Sequence, residues 1–166
     1  MTKIRLHIEI KIRGEWYYFT PQECLMLSIP CPKYPSSVFH KERWEYALLD
    51  NHFFIAALTG KKNPYNLIPM IEKDHIIGLD LPNDSTNRLI EELNVSEKLG
   101  NTITNIVCFK GSLFKDVQYW NRELYNGSMH LKYKDLIEDL PKWVILTNRL
   151  EKEFESYRFI FWIEER

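Results

Sequence analysis

Between Ile4 and Arg13 the chain alternates without a break. Ile4, Leu6, Ile8, Ile10 and Ile12 are separated by Arg5, His7, Glu9 and Lys11, and Arg13 closes the run. A period of two puts the aliphatic set on one face of an extended segment and the polar set on the other, which predicts a half-buried strand. Gly14-Glu15 can supply a tight turn, with the positive φ that glycine tolerates, returning the chain along Trp16 to Phe19 as a hairpin. The segment Tyr157 to Glu164 (YRFIFWIE) adds a second constraint. Tyr157, Phe159, Phe161 and Ile163 share one face, while Ile160 and Trp162 make the other face apolar too. A strand apolar on both faces belongs inside a sheet, and it is expected beside the N-terminal strand.

The segments between them read in order. Four prolines from Pro21 to Pro35 mark a loop, with a short helical turn after Pro21. Ser36 or Ser37 could cap a helical run through Trp44, Tyr46 and Leu49. Asp50 is a plausible N-cap for Phe53 to Leu58, a run with no polar face and therefore core. Gly60 ends that helix as a C-cap, where Lys61-Lys62 complement the last carbonyls. A short strand is expected around His75 to Leu79. Asp84 or Ser85 then caps a helix carrying Leu89, Ile90 and Leu93, stopped by Gly100-Asn101. Thr102 to Phe109 reads as a strand rich in β-branched residues. Ser112 would cap a helix with Leu113, Val117, Trp120 and Leu124 on one stripe, ended by Asn126-Gly127. A short helix from Tyr133 to Leu140 halts at Pro141, which opens another helix with Trp143, Leu146, Leu150 and Phe154 buried. The sum is one α+β domain over residues 1–166, a mainly antiparallel sheet packed with four or five helices.

Composition narrows the function classes. A formal net charge of -1 gives nothing global that steers the chain to nucleic acid. Cys24, Cys31 and Cys108 lack the paired spacing of a zinc site and read as free, buried thiols in a reducing cytoplasm. The first residues are too charged for a signal peptide, and no apolar run approaches the length of a membrane span. No motif calls for a cofactor. Aromatic residues make up 14% of the chain, enough for a heavily aromatic core or for surfaces that stack on planar ligands.

Three groups of residues could carry chemistry. Lys61, Lys62 and Asn63 on one side, with His75, Asp80, Asp84 and Ser85 on the other, could form a cationic lip facing an acidic cluster if the loop between them folds back. The same residues also suit helix capping and a solvated loop. Lys110-Gly111-Ser112, between a strand and a helix, suits a phosphate because a helix start offers free N–H groups. It lacks the G-x-x-x-x-G-K-[ST] spacing of a P-loop, and an ordinary Ser-capped turn has the same signature. Asp74-His75 pairs an acid with an imidazole, and His75 with Asp80 or Asp84 could form a catalytic dyad.

Four pieces carry a family likeness: Asn51 to Asn63 (NHFFIAALTGKKN), Gly78 to Ser85 (GLDLPNDS), Asp135-Leu136-Ile137 and Tyr157 to Glu164. Their order and spacing resemble a family of small proteins encoded by bacteriophages and prophages. That family has an N-terminal hairpin, a helix close to R-x-Y-x-L-F-A-x-L-A-G-V-R-N, a G-L-P-x-D-x-S loop, an E-L-L helix and a last strand like V-R-x-V-F-W-F-D. Lys61-Lys62 stands in place of Val-Arg, one residue is inserted before the proline of the second motif, and Asp50 stands where the family tends to have arginine. A His-Ser pair before the E-L-L helix is replaced here by Asn126 to His130. The resemblance implies a phage-derived protein acting in the cytoplasm of an infected or lysogenic bacterium, and it brings no reaction with it. The expectation is a non-enzymatic binding protein, a counter-defence homo-oligomer that sequesters a nucleotide-like immune signal. The ligand-binding residues would be Lys61, Lys62, Asn63, His75, Asp80, Asp84, Ser85, Lys110 and Ser112. The alternatives are a nucleotide-cleaving or nucleotide-modifying enzyme and an inhibitor that binds a host defence protein directly.

Overall fold

The structure is a computed structural model and describes residues 2–29, 52–61, 63–70, 74–137 and 139–166. The helix expected to start at Ser36 or Ser37, the Asp50 cap, Cys31 and Lys62 lie outside the described residues. A five-stranded antiparallel sheet organises the chain. Its strands are β1 (Thr2–Ile12), β2 (Glu15–Phe19), β3 (Ile76–Gly78), β4 (Thr102–Phe109) and, late in the chain, Ser156–Glu165. A separate hairpin is built from β5 (Glu123–Asn126) and β6 (Met129–Lys132), so the late strand is β7. The order across the sheet is β2-β1-β7-β4-β3, which puts β7 inside the sheet and beside β1, as its two apolar faces require.

The β1–β2 turn falls on Arg13-Gly14, one residue earlier than the sequence suggests. Both residues have positive φ, 52° and 81°, the conformation of a tight two-residue hairpin that matches strand twist. The β1–β7 register pairs Ile4 with Ile163, Leu6 with Phe161 and Ile8 with Phe159. This puts the aliphatic side of β1 and the aromatic side of β7 on one face.

That face meets α2 (His52–Thr59) and α5 (Leu140–Glu153), whose Trp143, Leu146 and Leu150 are fully buried, as their spacing predicts. Phe114 stacks on Trp143 with centroids 5.0 Å apart and on Phe54 of α2 at 6.2 Å. On the opposite face Cys108, Ile160 and Trp162 are closed over by Leu89 of α3 (Asn87–Lys98). The polar side of β1 is therefore covered too, against the half-buried expectation. His7 lies 4.3 Å from the Trp162 ring, and Glu9 is held by Arg158.

Other local readings change as well. Thr86, not Asp84 or Ser85, caps α3 by accepting from the Leu89 N–H. The stripe Leu113–Val117–Trp120–Leu124 is not one helix. It is split among a 3-10 turn (Gly111–Lys115), α4 (Val117–Trp120) and β5. Asn126-Gly127 leads into the β5–β6 turn instead of ending a helix. Tyr133–Leu136 is a 3-10 turn, and α1 (Pro21–Met26) is the helical turn expected after Pro21. The described residues thus carry five α-helices on an α+β frame. No helix among them is long and apolar enough to cross a membrane.

Candidate functional site

The site grows from the pairing of β3 with the end of β4. Ile76 lies opposite Phe109, and the Lys110 N–H donates to the His75 carbonyl at 2.7 Å. This sheet-edge contact brings His75 beside a segment 35 residues further along the chain. There Gly111 is pressed onto α5 and β7. A Cβ at this position would lie 2.5 Å from Thr147 Cγ2 and 2.7 Å from the Tyr157 hydroxyl, so only glycine lets the backbone come this close. The 3-10 turn it opens then sets the direction of Ser112.

Ser112 does not cap the turn: the cap position is Lys110, which makes no side-chain capping bond. The Ser112 Oγ lies 2.9 Å from His75 Nδ1, and Asp116 Oδ2 lies 3.0 Å from His75 Nε2. Asp116 Oδ1 accepts from the Tyr119 N–H at 3.1 Å, so capping α4 fixes the carboxylate that faces the imidazole. An ionised Asp116 can only accept. Neutral His75 then carries its proton on Nε2 and offers the Nδ1 lone pair to the Ser112 O–H. The His75 and Asp116 side chains are only 20% and 23% exposed, which shields the chain of bonds from water.

Ser112 also lines an open groove of about 360 Å³, within the range of small-molecule pockets. Lys110 brings a cation to its wall, and Ile77 and Phe154 bring apolar surface. Glu151, Glu155 and Tyr157 bring polar groups. Glu155, on the groove wall, accepts from the Gly14 N–H of the β1–β2 turn at 3.0 Å. Glu151 is neutralised locally by Lys115 at 2.8 Å and accepts from the Tyr157 hydroxyl at 2.8 Å. Burial raises the Glu151 carboxyl, but these two bonds outweigh it and hold the group below its ordinary pKa. Burial and the Glu151 carboxylate together push the Tyr157 phenol well above its ordinary pKa.

Of the residues singled out from sequence, His75, Lys110 and Ser112 come together here. None of the other described ones joins them, and Lys62 lies outside the described residues. Asn63 closes its own loop through two bonds to the Leu67 backbone, both 2.8 Å. Lys61 follows α2, which packs on the Phe161 face of the sheet. Asp84 lies towards the other face, bound to Arg158 and Trp16 at 2.8 and 2.9 Å. Ser85 donates to the Pro82 carbonyl, and Asp80 accepts from the Leu81 N–H. The lip expected from a folded-back loop is thus divided between two faces, and His75 pairs with Asp116 instead of Asp80 or Asp84. The phosphate reading of Lys110-Gly111-Ser112 loses its helix start, since Gly111 opens one short 3-10 turn and no longer helix. Asp116 is the member of this cluster that sequence reasoning misses, and its one signal is a position four residues after Ser112. Among the described residues no group of three or more His, Cys, Asp or Glu side chains could hold a metal. The sequence matches no protein-family model and no curated protein, and the fold matches no solved structure.

Proposed function

We propose that this protein is a phage-encoded ligand-capturing factor, acting as a homo-oligomer against bacterial defence, whose groove beside Ser112 takes up a small nucleotide-like anion. The observation that carries the reading is the make-up of that groove. Lys110 and Ser112 offer a cation and a hydroxyl to an anionic group, Ile77 and Phe154 offer apolar surface to a planar ring, and Glu155 can accept from ring amino groups. The likeness of Asn51 to Asn63, Gly78 to Ser85 and Tyr157 to Glu164 to phage and prophage proteins supports the setting.

The test is a melting assay against a panel of cyclic and linear signalling nucleotides, followed by heat denaturation and identification of what is released. A true ligand at about a hundredfold excess over its Kd stabilises by about 2.7 kcal/mol. Lys110→Glu should weaken that ligand at least about tenfold, the order of one lost charge-assisted contact, while Lys61→Glu leaves it unchanged. If no nucleotide raises the melting temperature, the small-molecule reading fails and a host protein becomes the partner to seek.

A further inference from the structure

His75 is engaged on both ring nitrogens by groups that suit one chemistry: a carboxylate at 3.0 Å on one and a hydroxyl at 2.9 Å on the other. The hydroxyl belongs to a residue that lines the groove, which puts the Ser112–His75 contact at the groove wall. Ser112 lies inside its turn and not at the cap position, and its Oγ is spent on His75. We infer that Ser112 is an acyl-transfer nucleophile and that the groove hydrolyses carboxylic esters of small anionic compounds. The inference rests on the groove proposed above as the place where the ligand sits, and it adds a reaction to the capture.

The steps balance without a further reagent. Ser112 Oγ bonds to the ester carbonyl carbon while its proton passes to His75 Nδ1, and the imidazolium formed is held through Nε2–H by Asp116. Lys110, on the same groove wall, supplies positive charge for the developing oxyanion or for the anionic part of the substrate. Collapse breaks the carbon–oxygen bond to the alcohol, which leaves with the proton from His75. Water then adds to the acyl-serine, giving its proton to His75. The carboxylic acid departs and Ser112 recovers its hydrogen. Asp116 touches no reacting atom and is a positioning residue that selects the imidazole tautomer.

A fluorophosphonate probe tests this directly, because its phosphorus is attacked by an activated serine with loss of fluoride. The full-length protein is incubated with the probe and the adduct is mapped by peptide mass spectrometry, beside turnover of p-nitrophenyl acetate. A single adduct on Ser112 is expected. It should be absent in Ser112→Ala and form at least about 100-fold more slowly in His75→Gln, the scale of a lost general base. Asp116→Asn keeps an oxygen to cap α4, so it should lower the maximal labelling rate about tenfold or more with the half-saturating probe concentration unchanged. A role confined to holding the turn would not give that split. If His75→Gln does not fold, Ser112→Ala with the same mapping decides the matter alone. Binding of a nucleotide with no labelling of Ser112 overturns the nucleophile and leaves the groove. Labelling of Ser112 with no nucleotide bound keeps the nucleophile and overturns the ligand class.

Discussion

Glu9 is a carboxylate with none of its surface exposed. It is tolerated because Arg158 Nε donates to one oxygen and the Thr86 N–H to the other, both at 2.8 Å. Arg158 in turn lies 3.8 Å from the Trp16 ring centroid and donates to Asp84 at 2.8 Å. Such a pair contributes little net stability, but losing one partner strands the other in a medium that cannot solvate it. Glu9→Ala should therefore cost about 3–5 kcal/mol in urea denaturation. Adding Arg158→Met should recover part of that loss. Asp84 stands at the wet end of the network with 64% of its side chain exposed, so Asp84→Ala should cost below about 1 kcal/mol. The hydrogen bond from Arg158 holds the Asp84 carboxyl below its ordinary pKa. Burial alone would raise Glu164, yet bonds from Ser96, Trp162 and Arg5 bring it below the ordinary value too. Both groups have a folded pKa below the unfolded one, so their stabilisation is complete above the ordinary carboxylate range near ~4. It is lost as pH falls through the folded values. A melting series from neutral to acid pH should be flat and then fall. In Glu164→Gln the melting temperature starts lower and the acid fall is shallower.

At the scale of elements, legibility depends on how local the cause is. Strand β1 and helix α5 are legible because each pattern runs over many residues, yet His7 and Glu9 are buried, Ile12 is exposed, and Phe154 lies just past the end of α5, only partly buried. The stripe from Leu113 to Leu124 fails because spacing alone cannot see a chain break. Asp116, with ψ of 84°, ends the 3-10 turn and starts α4, and Asn121 ends α4 one turn later. The site is half legible for the same reason. Lys110-Gly111-Ser112 stands out by composition, whereas its partner His75 is supplied by β3–β4 pairing, a contact between distant segments that no local pattern encodes. Gly111 is the element-level hinge of the arrangement. Gly111→Ala would force the turn off Thr147 and Tyr157, with an expected cost of about 1–3 kcal/mol from overpacking. Because Ser112 moves with the turn, probe labelling should drop even where the variant still melts cooperatively. The β1–β2 turn offers the converse test. Arg13 sits at φ 52° where asparagine is favoured before glycine, so Arg13→Asn should stabilise by about 0.5 kcal/mol in the same denaturation assay.

For the whole molecule, the sheet separates a large core from a small one, and a cysteine reports on each. Cys24 lies in the core under α2 and α5, and Cys108 lies in the cluster under α3. Burial pushes the Cys108 thiol up to about 12. Relative to a free thiol this lowers the reactive thiolate at neutral pH by about a thousandfold. Alkylation mapped to Cys108 should be slower by at least that factor in the native protein and reach the free-thiol rate in urea. A native rate near that of a free thiol would show that α3 opens on its own.

Strand β7 also sets an order of events. It pairs β1 on one edge and β4 on the other, so it alone joins the β1–β2 hairpin to the β4–β3 pair. It also comes after every other described strand in the chain. On a ribosome, both earlier pairs emerge with unsatisfied edges and with the rings of Phe109, Phe114 and Trp143 lacking the strand they pack against. They must wait for β7 before any continuous sheet exists. Stalled nascent chains that lack β7 are therefore the species most exposed to self-association and to chaperone capture. Pairing of β7 is the moment at which Ser156 and Tyr157 complete the groove beside the His75–Ser112 contact that β3–β4 pairing already provides.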